Sequence, residues 1–390
     1  MTVLAYLEDL GLAFADVMLS VDAPGGHLVL PTVGDTRNVA QALPVSPSRL
    51  VRKFFRLKGL GQSGMFLVAG TVSHIERLID NIGVLRSNRV RLSAAQARTF
   101  NPKDPASIVH TACLLTEQQG WPEFEILGVI AGQTFVRNYD ANRLRSTLPY
   151  YGNVYVAGSG GQDLYKWLEE RAVFYAAGAL AEESLADKGL RAMNSIPMVL
   201  LREDALTRVK TISKGVGGYY ETYYLSDNAL HPVGDVLTVT ASIAGKGTTP
   251  PLLIERMYYH TYVNDWLLVA SLFDTPLTVT PGAAIEIPLS QFELFKIPPI
   301  FEPGPEPNWT IHRLLKSAEV AEMFRLTLRQ AGESGVSKRF SEGARPSRRL
   351  LTCRISGDKL QLSLDQEGHT HYAARIRNSA HDELTLQLRH

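Results

Sequence analysis

The hydrophobic period of the chain changes character near residue 230, and that change sets what the chain can fold into. Up to residue 225, short apolar runs with the spacing of strands alternate with pairs of segments at helical spacing. "VLAYLE" (3–8) and "LAFADVMLSV" (12–21) read as two strands around a tight turn at Asp9-Leu10-Gly11. Residues 22–50 hold four prolines and three glycines and read as an inserted loop or small extra hairpin. "RKFFRL" (52–57) and "GMFLVAG" (64–70) are two further short strands. A helix then starts at Thr71 or Ser73, with Ile75, Leu78, Ile79 and Ile82 on one face, and a second covers about 105–119. "FEILGVIAGQTFVRNYDANRLRSTLPYYGNVYVAGSGG" is strand, strand, turn and strand, ending in glycines. Helices over 161–181 and about 198–212 follow, and "KGVGGYYETYYL" turns into another strand. Strands alternating with helix pairs predict layered packing, with helices outside and sheets stacked within.

Beyond residue 230 the sequence is rich in β-branched and aromatic residues, broken by Gly and Pro at short intervals. It predicts an all-β module over 231–296. "KIPPIFEPGPEPNW" reads as a stiff Pro-rich linker. The C-terminal module over 297–390 is expected to be a small α/β unit. Its pieces are an amphipathic helix over about 311–331, the polar basic stretch "GESGVSKRFSEGARPSRR", and strands at "LLTCRIS", "KLQLSLD", "HYAARIR" and "ELTLQLR".

Composition narrows the function classes. With 45% hydrophobic and 20% charged residues in 390, the chain is ordinary globular material. A formal net charge of +1 argues against a nucleic-acid partner, which needs a basic surplus. Cys113 and Cys353 are too few and too far apart for a disulfide framework or a zinc motif, and read as buried thiols. The first twenty residues carry Glu8, Asp9 and Asp16 and no Lys or Arg, unlike a signal peptide. No long uncharged apolar run suggests a membrane span, so a cytoplasmic location without a membrane partner is expected.

Three local signals differ in weight. "GLGQSG" (59–64) fits G-x-G-x-x-G, but a strand follows it where a dinucleotide site needs a helix. His369 and His371 in "HTHY" could share a strand face and seed a metal site, yet no further ligand cluster accompanies them. "YVAGSGGQDLYKWLEE" is more telling. Small residues between a strand and a helix free backbone N–H groups to orient an anion, a hydroxyl or a terminal amine.

Taken in order, these pieces resemble the β-subunits of proteasomes, members of the N-terminal-nucleophile hydrolases, over residues 2 to about 226. "TVLAYLEDLGLAFAD" is similar to the opening hairpin of that family, with its N-terminal Thr and its strand ending in Ala-Asp. "RKFFRL" resembles the lysine-bearing strand, "GMFLVAGTVSHIERLID" the next strand and long helix, and "FEILGVIAGQTFVRNYDAN" the strand pair beyond it. "VYVAGSGG" is close to the glycine-serine-glycine turn, and "KGVGGYYETYYL" to the later double-glycine turn.

The resemblance implies an α+β fold: a four-layer αββα domain over 1–230, then the all-β module and the C-terminal α/β module. It implies that Thr2, exposed by removal of Met1, is nucleophile and base in one residue. Lys53 matches the lysine that stabilises the developing alkoxide, Asp16 the carboxylate that anchors it, Gly70 the corner whose N–H binds the oxyanion, and Ser159 the serine at the terminal amine. Neither cofactor nor metal is implied. The implied substrate is a polypeptide, and the implied assembly is a homo-oligomeric ring, with an unfoldase or other protein partner engaged through 231–390. Two departures stand out. Ser213 falls where the family has a second aspartate, and Asp16 and Lys53 are 37 positions apart, which leaves an insertion over 17–52 to lid or block the groove. The resemblance therefore also leaves room for an inactive proteasome-like scaffold, or for an amidase acting on a small amide.

Overall fold

The computed structural model describes residues 2–21, 28–36, 46–57, 64–87, 92–130, 132–137, 146–176, 182–207, 211, 214–243, 250–273, 276–331, 337–344, 350–378 and 383–387. Among these residues it is a mixed α+β structure with several sheets and no barrel. Strands β1 (Leu4–Leu7) and β2 (Leu12–Asp16) form the expected hairpin. In the insertion, β3 (Met18–Val21) pairs with β6 (Ser46–Leu50), and β4 (Val29–Leu30) with β5 (Gly34–Asp35). Then come β7 (Phe54–Leu57), β8 (Gly64–Gly70) and helices α1 (Val72–Arg86), α2 (Ala94–Thr99) and α3 (Pro105–Gln118). Strands β9 (Phe124–Ile130), β10 (Gln133–Arg137), β11 (Ser146–Leu148) and β12 (Gly152–Ala157) lead to α4 (Gly161–Ala176) and α5 (Leu185–Thr207), and the half closes with β13 (Tyr220–Ser226) and β14 (Ala229–Pro232).

Side-chain alternation explains why these strands are buried on both faces. Val3, Ala5, Leu7, Leu12 and Phe14 point to one side and pack with Leu164 and Leu168 of α4 and Ala192 and Ile196 of α5. Leu4, Tyr6, Ala13 and Ala15 point to the other and meet Met65, Leu67, Ala69, Leu127 and Val129 of the second sheet. On the far face of that sheet, Phe66, Val68, Phe124 and Ile126 pack with Ile75, Leu78 and Ile82 of α1 and Ile108 and Ala112 of α3. The six-stranded sheet runs β11-β12-β1-β2-β13-β14, and the four-stranded sheet β10-β9-β8-β7. Local chemistry sets the helix starts: Asp104 accepts from the N–H groups of Ala106 and Ser107 ahead of Pro105, and Ser93 with Gln96 forms a capping box.

Helix α5 begins well before the expected start near residue 198 and runs through Pro197. A proline inside a helix leaves the carbonyl four residues earlier without its donor. That carbonyl belongs to Met193, and the buried Arg325 takes it, its Nη2 donating at 2.9 Å while Nε reaches Asn194 Oδ1 at 3.4 Å.

The C-terminal half departs further from expectation. Its strands are β15 (Val236–Ile243), β16 (Leu252–Val263), β17 (Trp266–Leu272), β18 (Leu277–Val279), β19 (Ala284–Pro288) and β20 (Glu293–Ile297), then α6 (Ile311–Ala318), β21 (Met323–Ala331), β22 (Ser337–Ala344), β23 (Leu351–Ser356), β24 (Lys359–Leu364), α7 (Gln366–Asn378) and β25 (Glu383–Gln387). The helix expected over 311–331 stops at Ala318. Beyond it, Phe324, Leu326 and Leu328 alternate into a core and β21 pairs in parallel with β15. Strands from both sides of residue 297 therefore share one sheet, β20-β17-β16-β15-β21-β22-β25, and the all-β and C-terminal segments are built as one body. "HYAARIR", expected as a strand, lies in α7, so the strand-face pairing of His369 and His371 does not hold. The middle of the basic stretch, Ser337–Ala344, is β22, and residues 332–336 and 345–349 lie outside the described residues. The first part of the expected linker is packed down, while residues 302–306 are exposed: Arg52 bridges to Pro299, and Ile300 and Phe301 join the core under α1 and α3. Among the described residues, no helix is long and apolar enough to cross a membrane.

The two halves meet in a buried interface. Val17, Leu201, Tyr219 and Tyr220 pack with Tyr258, Leu267, Val269 and Ile297. Within it, His260 Nε2 lies 2.9 Å from the Val233 carbonyl and Nδ1 lies 2.8 Å from the Tyr219 hydroxyl. The carbonyl can only accept, so Nε2 carries the proton and Nδ1 accepts from Tyr219, which is the neutral ring. Burial, with Arg325 adding to it, pulls the His260 pKa down to about 3. A histidine whose folded pKa is depressed stabilises the fold above its unfolded value near 6.5, and that stability is lost as the pH falls. Replacement of His260 by Gln, which keeps one donor and one acceptor, is expected to flatten this dependence. Between pH 6 and pH 4 the wild type should lose about 2 kcal/mol more than His260→Gln, as read from urea midpoints.

Candidate active site

Asp16 ends β2 and is completely buried. A buried carboxylate is tolerable only when its oxygens are taken up. Here Oδ1 accepts from the Val3 N–H at 2.8 Å and from Lys53 Nζ at 2.7 Å, and Oδ2 accepts from the Gly217 N–H at 3.1 Å. Lys53 is 1% exposed, and burial lowers its pKa below the usual lysine value while the charges of Asp16 and Glu221 oppose that shift. One oxygen thus ties the ammonium to the peptide that follows Thr2.

Thr2 is 4% exposed and is enclosed by the glycine-serine-glycine turn. Its backbone nitrogen donates to Ser159 Oγ at 3.3 Å, and its carbonyl accepts from the Gly160 N–H at 3.0 Å. Gly158 has a positive φ of +77°, and a Cβ there would lie 2.3 Å from the Thr2 oxygen, so only glycine lets the turn close on the threonine. The Gly158 N–H in turn donates to the carboxylate of Glu125.

Of the residues singled out in the sequence, Thr2, Asp16, Lys53 and Ser159 converge on this cluster. Gly70 stands at the expected β8–α1 corner, but among the described residues no hydrogen bond joins it to the cluster. Its φ of +119° and the Glu123 carbonyl, 2.3 Å from where a Cβ would sit, explain the glycine structurally. Ser213 lies outside the described residues.

No local pattern marks Asp204. It lies 14 positions before Gly218, at the C-terminal end of α5, where spacing to the double-glycine turn does not find it. Its Oδ2 accepts from the Gly218 N–H at 3.1 Å and from Thr32 Oγ1 at 3.3 Å, and Oδ1 from the Tyr220 hydroxyl at 2.9 Å. Two carboxylates therefore hold consecutive amides of one turn, Asp16 on Gly217 and Asp204 on Gly218. Burial raises the Asp204 pKa to about 7; the Tyr220 and Gly218 donors hold it down, and the charge on Asp16 pushes it further up.

The insertion also behaves differently from a free lid. Its described part is wedged between this turn and the C-terminal sheet. Met18, Leu30 and Val33 form a small core, and the Thr32 carbonyl accepts from Arg256 Nη1 at 2.9 Å and the Tyr258 hydroxyl at 3.3 Å. Residues 22–27 and 37–45 of the insertion lie outside the described residues.

Comparison with protein-family models, curated proteins and solved structures finds no match.

Because the folded pKa of Asp204 is raised above its unfolded value near 4, its proton is bound more tightly in the fold. The stability it contributes is greatest at low pH, falls as the pH climbs from about 4 to about 7, and is gone above that. Asp204→Asn should therefore remove a decline of roughly 2 kcal/mol between pH 5 and pH 8. Chemical unfolding of both proteins at the two pH values measures it, and identical slopes would show an ionised Asp204 throughout.

Proposed function

We propose that this chain is a threonine-type hydrolase of peptide bonds, with the four-layer architecture of the N-terminal-nucleophile hydrolases in residues 1–230. The observation that carries the reading is the shared Asp16 oxygen, which binds Lys53 and the peptide beside Thr2 together. The order helices, sheet, sheet, helices supports it. A buried lysine on an apolar segment is costly unless it is paired, and here its partner Asp16 also holds the peptide beside Thr2.

In this reading the mature chain begins at Thr2, and its α-amine, beside Ser159, takes the proton of the Thr2 hydroxyl. The Thr2 oxygen attacks the substrate carbonyl, and Lys53 stabilises the negative charge that builds on the attacking oxygen. The Gly70 N–H is the proposed donor to the tetrahedral oxyanion. The amine returns the proton to the leaving nitrogen, an ester to Thr2 remains, and water activated by the same amine releases the acid.

The recessed position of Thr2 favours an extended peptide, and it also favours a second reading, an amidase acting on a small amide. Parallel assays on unstructured casein and on small aliphatic amides separate the two. The assembly is proposed as a homo-oligomeric ring, and a monodisperse 43.0 kDa species in light scattering would rule it out.

Two outcomes test the chemistry. Intact-mass analysis of active protein should show a chain starting at Thr2; retention of Met1 in the active species contradicts the mechanism. Lys53→Ala should reduce turnover by at least about 100-fold with the fold retained. Asp16→Asn should do the same, because it leaves the ammonium without its anchor. Wild-type rates in either folded variant would make the cluster structural.

A further inference from the structure

The backbone that carries Lys53 is held from both halves of the chain. The Val51 N–H donates to the Val17 carbonyl at 2.8 Å, and the Lys53 carbonyl accepts from Val68 at 3.0 Å. Between them, the Arg52 N–H donates to the Pro298 carbonyl at 2.8 Å, and the Arg52 carbonyl accepts from the Ile300 N–H at 2.9 Å. Residues 298–300 thus run beside the lysine as a parallel strap.

The Arg52 side chain repeats the theme. It is fully buried, its Nε donates to Glu221 Oε1 at 2.6 Å, and its Nη1 donates to the Asp265 carbonyl of the β16–β17 turn. Its guanidinium is sandwiched 4.3 Å from the centre of the Phe54 ring and 4.4 Å from that of Tyr262. Glu221 sits opposite Ala15 in the β2–β13 ladder, where Tyr220 sits opposite Asp16. Two consecutive cations, Arg52 and Lys53, therefore pair with carboxylates from two adjacent strands.

We propose that Arg52 is a positioning residue for Lys53, and that the C-terminal sheet, through Tyr262, Asp265 and residues 298–300, is a working part of the candidate site. The inference rests on the threonine-hydrolase reading for its consequence, though not for its geometry. A small shift of Lys53 relative to Thr2 weakens charge stabilisation in the transition state without removing substrate contacts, so it acts on kcat rather than KM.

The informative position is Tyr262, on β16, which belongs to the C-terminal sheet. Tyr262→Leu removes the ring that stacks on Arg52. Tyr262→Phe keeps that ring and deletes only a buried hydroxyl that has no hydrogen-bond partner among the described residues. Tyr262→Leu and Arg52→Met/Glu221→Leu are each prepared in the full chain, the double variant so that no single charge is left buried. Folding is checked by thermal unfolding and circular dichroism, and turnover is measured on a fluorogenic peptide amide. In parallel, the Lys53 Nζ and Cε signals are followed by nuclear magnetic resonance.

The expected result is a kcat lower by at least about tenfold with KM within about twofold, recovery of wild-type kcat in Tyr262→Phe, and an exchange-broadened Lys53 ammonium signal in the Leu variant. If one variant does not fold, the other carries the test, and Arg52→Lys replaces both if neither folds. Folded variants with wild-type kcat and an unchanged Lys53 signal overturn the proposal. If the wild type itself hydrolyses nothing, the hydrolase reading fails and the Lys53 signal alone decides: broadening in the variants upholds the positioning role, and an unchanged signal ends it.

Discussion

One buried carboxylate organises the N-terminal half. Asp16 has no exposure to solvent and survives as an acceptor because three donors converge on it from three parts of the chain. Val3 comes from just before the first strand, Lys53 from beyond the insertion and Gly217 from the turn before β13. Loss of any of them would leave part of a buried charge uncompensated, a cost of several kcal/mol. The chain start, the lysine and the last turn are therefore fixed relative to one another by a single side chain. The same turn accommodates a second carboxylate, Asp204, whose raised pKa lets it sit beside Asp16 without a second full negative charge.

The C-terminal half is bound into this arrangement through polar groups that would be costly if left alone. Pro197 strips a carbonyl in α5 of its donor, and Arg325 from β21 replaces it. The Thr32 carbonyl in the insertion takes Arg256 and Tyr258 from β16, while its hydroxyl serves Asp204. Arg52 ends between aromatic rings from both halves. The Arg325 and Thr32 contacts satisfy buried polar groups across the boundary, so separation of the halves would expose orphaned donors and acceptors as well as apolar area. The extra sheet has the character of a brace built into the site region.

Much of the N-terminal half was legible because its signals are local. Alternation in "VLAYLE" and "GMFLVAG" identifies strands, and Ile75, Leu78 and Ile82 identify a helix face. Four of the five residues proposed for the site, Thr2, Asp16, Lys53 and Ser159, fall together, and each lies at the end of an element or in the loop beside one. Asp204 was not legible, because its partners are amides brought to it by the turn geometry of Gly217 and Gly218. The C-terminal reading failed where local pattern was ambiguous. "MFRLTLRQA" supports an amphipathic helix as an isolated segment, and only the open edge of β15 makes it a strand. "HYAARIR" went the other way, into α7.

The sequence by itself determined the periodicities, the turns and the charged residues at strand ends, since these depend on neighbours a few positions apart. From them followed the strand-and-helix order up to residue 226, whereas the candidate nucleophile, lysine and carboxylate came from the resemblance of the ordered motifs to a known family. The tertiary structure alone decided which sheet β21 joins, which donor replaces the hydrogen bond that Pro197 lacks, and which acid meets Gly218. Those choices are settled by pairing between segments 87 and 132 positions apart in two of the three cases, and by a turn that sequence spacing does not register in the third. Burial makes each unpaired polar group costly, and a partner for it can be identified only once the chain has brought the distant segments together.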